Sequence, residues 1–121
     1  MATSTISKIA PTVTADAIGF TSNTSLFSVQ NLASRRYGNI VQFRVVLGTK
    51  SQINAGTTVT VGTLSGSVPA ITTYILAYRE SAEMQCGTAV LPTSEGDITL
   101  NVLSSIASGV TIVIAGTYIC N

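Results

Sequence analysis

The sequence predicts an all-β protein, an antiparallel β-sandwich of jelly-roll-like type with about seven to eight strands. Three observations predict it. No stretch keeps a helical period. Short runs alternate apolar and polar residues with a period of two. Those runs recur roughly every ten residues, separated by links rich in Gly, Pro, Asn and Ser.

The clearest element is a hairpin centred on Gly38-Asn39. Both residues tolerate the positive φ of a tight turn. The incoming strand covers Ser25 to Arg36, with Phe27, Val29 and Leu32 as its apolar residues. The outgoing strand places Val41, Phe43, Val45 and Leu47 on one face and Gln42 and Arg44 on the other. Gly48 to Gly56 is polar and reads as a loop, and Thr57 to Leu64 as a half-exposed strand with Val59 and Val61 together. Ser65 to Pro69 turns the chain into a strand from Ile71 to Arg79. Both faces of that strand are apolar, Ile71, Ile75 and Ala77 against Tyr74, Leu76 and Tyr78. It is therefore either central in a sandwich or covered by a neighbouring subunit. Glu80 to Glu83 is a loop, Cys86 to Leu91 a short strand, and Pro92 to Gly96 a turn. Asp97 to Leu103 alternates with Ile98, Leu100 and Val102 inward, and Ser104 to Gly109 turns again. Val110 to Ile119 closes the chain with Val110, Ile112, Ile114 and Tyr118 on one face. Met1 to Asn23 reads as a leader or linker with at most one short strand, near Thr12–Ala15, so the sandwich spans 24–121.

At 121 residues the chain suits one domain with a real core. Only 9% of residues are charged and the net charge is +1, too weak a field to gather polyanions, so nucleic acid is not an expected partner. The mean hydropathy of +0.48 is high for a monomer and points to apolar surface shared between subunits. The longest apolar stretch, Val110 to Ile119, is about half a membrane helix, and Met1 to Pro11 has no signal-peptide core. The expectation is a soluble chain made in the cytoplasm, and the Asn23-Thr24-Ser25 sequon is then a chance match. Cys86 and Cys120 read as buried hydrophobes, with a bridge open only if their strands face each other.

Without histidine, the usual general base and the common Ser-His and Cys-His pairs are missing. The carboxylate pairs Glu95/Asp97 and Glu80/Glu83 sit beside turns and read as solvated loop charges rather than as hydrolytic or calcium-binding pairs. Two cysteines and loop carboxylates make a poor zinc set, and no glycine loop opens a helix to cradle phosphate. The sequence thus reads as a non-enzyme with no catalytic residue, metal or cofactor. Sugar binding fits better. A tyrosine ring offers a flat face to the C–H side of a sugar, while Arg and Asn supply directional hydrogen bonds. Arg35, Arg36, Tyr37 and Asn39 at the hairpin mouth form one candidate cluster, and Tyr78 with Arg79 at a strand end form a second. The plainer reading of each is a tyrosine packed on the rim with arginines reaching solvent. Tyr118, in line with Ile112 and Ile114, reads as core or interface.

Three segments carry a family resemblance. They are Arg36-Tyr37-Gly38-Asn39-Ile40-Val41, then Val59-Thr60-Val61-Gly62-Thr63-Leu64 leading to Pro69, and then Gly96-Asp97-Ile98-Thr99-Leu100 followed by Gly109 to Ile119 with its terminal Gly-Thr-Tyr-Ile. In this order they resemble the C-terminal head domains of receptor-binding and tail-fibre proteins of tailed phages and prophages, over about Ser25 to Asn121. The resemblance implies a β-sandwich head at the tip of a virion's tail or baseplate. Such a head is homotrimeric, contacts other tail or baseplate proteins and binds a host cell-wall polysaccharide in a shallow cleft. The clefts of such heads often use Trp or His, and this chain has neither, so no binding residue is carried over. A structural baseplate, fibre or decoration subunit is one alternative, and a carbohydrate-binding module attached to a hydrolase is another.

Overall fold

The computed structural model describes residues 13–14, 18–81 and 84–120. The ends of the expected Thr12–Ala15 strand, and Ala82 and Glu83 of the loop after Glu80, lie outside them. The described residues are all-β, with ten strands: β1 (Val13–Thr14), β2 (Ile18–Ser22), β3 (Phe27–Leu32), β4 (Arg35–Tyr37), β5 (Ile40–Thr49), β6 (Thr58–Gly66), β7 (Thr73–Arg79), β8 (Met84–Leu91), β9 (Gly96–Val102) and β10 (Thr111–Ile119).

Every pairing is antiparallel, and the strands run β1-β4-β5-β10-β7-β8-β9-β6-β2, with β3 beside β5. The meander β7-β8-β9 with β10 beside β7 is a Greek key, the unit from which jelly rolls are built. The sheet rolls until it nearly closes, and Asn23 makes the closing corner. Its N–H donates to Val61 O and its side-chain amide to Thr60 O, on the β6 edge. Its own carbonyl then accepts the N–H groups of Leu26 and Phe27 as the chain enters β3.

Alternation decides which side chains fill the roll. Val41, Phe43, Val45 and Leu47 of β5 point inward with Ile98, Leu100, Ile112 and Ile114, and all are fully buried. Phe20 meets Phe43 edge to face at 6.3 Å. The hairpin forms as expected, Tyr37 opposite Ile40 across a two-residue turn in which Gly38 takes φ +62°.

Three features depart from the expected layout. Two strands lie in the stretch expected as a leader, and β2 belongs to the sheet, pairing with β6 from Ile18↔Gly66 to Ser22↔Gly62. The incoming hairpin strand is split into β3 and β4 at Ala33-Ser34. There the Ser34 hydroxyl, rather than a backbone carbonyl, accepts the Arg44 N–H at 3.1 Å, while Ala33 N–H donates to Arg44 O. A short polar side chain thus satisfies the ladder where the backbone leaves it. Finally, β7 begins at Thr73 rather than at Ile71, and Ile71 is 75% exposed. Both cysteines are buried free thiols.

Candidate functional site

Directly opposed residues of an antiparallel ladder point to the same side of the sheet. The partners of outward-facing β5 residues therefore define one outer face across β4, β5, β10 and β7. Tyr37, Ile40 and Ile119 form its first row, and Arg35, Gln42 and Thr117 the second. Arg44, Ala115 and Leu76 follow, then Val46, Val113 and Tyr78. Tyr74 also faces outward, opposite Val90 of β8.

A groove of about 500 Å³ opens beside this face, lined by Ile71, Thr72, Tyr74, Thr117 and Ile119, with Tyr118 at its base. Its cause is a mismatch in chain length. The β7–β10 ladder stops at Leu76↔Ala115, and pairing resumes at Pro69↔Cys120, with Ala70 N–H donating to Ile119 O. Seven steps separate Pro69 from Leu76 but only five separate Ala115 from Cys120, so the chain bows out at Ile71-Thr72. A Thr73 hydroxyl bond to Ile71 O at 2.9 Å braces the bow. Tyr74 is 63% exposed, and Thr72, Thr73 and Thr117 line the groove with it.

The groove's underside is held by hydrogen bonds. Tyr118 is buried and its hydroxyl donates to Ser67 O. Burial first, and then the neighbouring Cys120, push its phenol up to about 12, against a smaller lowering by Arg36. Arg36 Nη1 donates to Ser67 Oγ at 2.8 Å and Arg36 Nε to Gly38 O. Asn39 O accepts the Cys120 N–H at 2.8 Å. The hairpin tip, the chain end and the loop at Ser67 are thereby tied together.

The six residues singled out from sequence divide accordingly. Arg35 and Tyr37 face outward within the face that borders the groove, with Arg35 Nη1 bonded to Ser34 O. Arg36 points the other way and is engaged beneath the groove. Asn39 is exposed at the hairpin tip and contributes its carbonyl to the fold. Tyr78 lies on the outer face, half-buried opposite Val113. Arg79, its neighbour in sequence, points to the opposite side and holds the loop after β9 through Ser104 Oγ at 3.1 Å and Ser105 O at 2.6 Å. Arg36 stands level with Val41, and Arg79, across β10, level with Leu47. Six strand residues separate those levels, about 20 Å, so the two clusters are not one site.

Sequence reasoning did not single out Tyr74, Thr117, Arg44 or Gln42 as site residues. The two-sided apolar pattern of the Ile71–Arg79 run signals an outward Tyr74-Leu76 stripe, but not that β10 and β5 continue its face. The face carries the guanidinium groups of Arg35 and Arg44 and, among the described residues, no carboxylate. Glu80 follows the far end of β7, Asp97 is on β9, and Glu95 Oε2 accepts the Gly66 N–H at 2.9 Å.

No protein-family model matches this chain, and no match was found among the curated proteins or the solved structures.

Proposed function

We propose that this protein is a non-catalytic receptor-binding head of a phage tail or baseplate, recognising a host cell-surface saccharide in the groove beside Tyr74. The observation that carries this reading is the exposed Tyr74 in a groove that Thr72 and Thr117 also line. A sugar ring stacks its C–H face on such an aromatic while short hydroxyls and the guanidinium of Arg35 bond its rim. The order of the motifs around Gly38, Gly62 and Gly116 supplies the phage context. A shallow groove buries little of its ligand, so affinity per site is low, and a homotrimer displayed in several copies supplies avidity.

Retention on purified Gram-positive cell-wall polysaccharide tests the reading. The wild type is retained, and Tyr74→Ala lowers the affinity by about two- to tenfold, the loss of one stacked ring. A wild type that passes through unretained sinks it. A structural role in the virion is then the better reading, favoured by the outward Ile40, Ile71, Leu76 and Ile119, which have no hydrogen bonds to offer a sugar.

A further inference from the structure

The row of outward side chains that passes Thr117 does not end at the groove. Gln42 stands opposite Thr117 on β5, and Arg35 stands opposite Gln42 on β4. On the other side of β10, a Cβ at Gly116 would run into the Ile75 side chain. These two therefore still face each other past the last paired residues, Leu76 and Ala115, which brings Tyr74 level with Thr117. Tyr74, Thr117, Gln42 and Arg35 form one line across four strands: a ring, a hydroxyl, an amide and a guanidinium. All four are exposed. At about 4.8 Å per strand spacing the line is about 14 Å long, further than one sugar ring reaches.

Arg44 lies one row along, two residues beyond Gln42 and opposite Ala115. It is half-buried and, as a diagonal neighbour across β4 and β5, about 7–8 Å from Arg35. Arg35 gives one N–H to Ser34 O, and the rest of its fork is open to a ligand. No carboxylate among the described residues stands beside either guanidinium. Glu95 is bonded to the Gly66 N–H, and Asp97 is on β9. The Glu80 N–H bonds Thr111 O, level with Gly48 and about 13 Å along β5 from Arg44. Two of the chain's six cationic side chains are thus set close together, without a counter-charge, at the end of a line that begins at Tyr74.

We propose that the ligand of this face is an acidic oligosaccharide whose anionic group, a carboxylate or a phosphodiester, is held by Arg35 and Arg44. That group lies at least one sugar unit away from the ring stacked on Tyr74. The proposal rests on the saccharide reading above and adds to it a ligand class and a second subsite. Stacking on Tyr74 accepts neutral and acidic sugars alike. The arginine pair selects the acidic one, because bonds between a guanidinium and an anion are about twice as strong as those between neutral groups. With a net charge of +1 the chain exerts no long-range pull on polyanions, so the selection acts at contact.

Affinity for purified Gram-positive cell-wall polysaccharide, measured at about 0.05 M and about 0.5 M sodium chloride, tests it. The wild type is expected to bind more weakly at the higher salt. Arg35→Gln/Arg44→Gln keeps polar side chains but no charge. It is expected to lower the low-salt affinity about three- to thirtyfold and to remove most of the salt dependence. Tyr74→Ala is expected to weaken binding while keeping the salt dependence. Lys50→Gln removes one charge just past the far end of β5 and is expected to behave as the wild type. Unchanged far-ultraviolet circular dichroism spectra show that the variants are folded. Repeating the measurement on the same polysaccharide with its carboxylates reduced to alcohols distinguishes the two anions. Loss of the salt dependence identifies a carboxylate, and its survival a phosphodiester. Wild-type binding that is equal at both salts, a double variant that binds as the wild type, or a Lys50→Gln variant that loses as much as the double variant overturns the proposal and leaves the saccharide reading standing. A wild type retained at neither salt defeats the saccharide reading itself, and the acidic subsite with it.

Discussion

The Tyr118 hydroxyl is buried against Ser67 O, and removing its proton there places a charge in surroundings that solvate it poorly. In the unfolded chain the same phenol ionises near pH 10, whereas in the fold it is held to about 12. Between those values the unfolded state has released a proton that the folded state keeps, so stability falls as pH rises through this window. Below pH 10 both states keep the proton and the group contributes no slope. The expected loss is at most about 1.4 kcal/mol per pH unit. Denaturant titrations at about pH 8 and about pH 11.5 check it, and Tyr118→Phe is expected to flatten the difference. Arg35 and Arg36, on opposite sides of β4, separate binding from stability. Arg36→Ala removes the bond to Ser67 Oγ from a half-buried guanidinium and is expected to cost about 1–2 kcal/mol of stability. Saccharide retention at a temperature where the variant is folded stays unchanged. Arg35→Ala, on the exposed face, is expected to leave stability within about 0.5 kcal/mol while weakening retention. If the two losses are exchanged between these variants, the groove has been placed on the wrong side of the hairpin.

At the scale of elements, strand identity was legible where one face meets the core and register was not. Val41, Phe43, Val45 and Leu47 were assigned inward from their period alone, and all are buried. β6 resists the same reading, because Val61 and Leu64 are both fully buried although they lie three residues apart. The register shift between Thr60 and Gly62 is the reason: an extra residue changes the phase of the strand. Similar irregularities interrupt β3 between Val29 and Asn31, and the β7–β8 pair between Ala77 and Tyr78. Nothing in a local pattern marks such an insertion, since it is defined by the partner strand. β2 was missed for a related reason. Only Ile18 of its side chains is buried, and Phe20 is packed against the core from the edge, so its alternation is faint. Gly62 shows how closely that edge is set. A Cβ there would lie 2.3 Å from Thr21 O and 2.7 Å from the Phe20 ring. The backbone oxygen cannot swing away, so β2 must separate from β6. Gly62→Ala is expected to cost about 1–3 kcal/mol, read as a lower denaturant midpoint at unchanged slope.

At the scale of the whole molecule, the roll brings distant segments together in a way no local pattern announces. The groove needs the chain around Ile71 beside the end of β10, which follows from strand order and from the mismatch between Pro69 and Cys120. Tyrosines and arginines were legible as candidate sugar-binding side chains, and their division between the two sides of the sheet was legible for β5, for Tyr74 and Tyr78 of β7 and for Tyr118 of β10, but not for Arg35 and Arg36, where the incoming strand is split. The two thiols occupy opposite ends of the same roll and report on how it opens. Cys86 sits in β8, whose flanks are β7 and β9, and burial pushes its thiol up in spite of Arg79 nearby. A reagent that needs the thiolate therefore reaches it only when those strands part. Cys120 is also buried, but it lies past the end of β10 and is held by its bridge to Pro69 and by Asn39 O. Opening of that isolated bridge and of the bond to Asn39 O releases it without disturbing the meander. In native buffer, Cys120 is expected to be alkylated first, and Cys86 only at the rate set by global unfolding. Mass spectrometry of each labelled peptide over time separates the two. Equal rates at both positions would mean that the chain end opens only with the whole roll, because the ties among Arg36, Ser67, Tyr118 and Asn39 hold the base of the groove as firmly as the core. A groove so braced would keep its base in place, and ligand binding would then proceed without reordering of the β10 end.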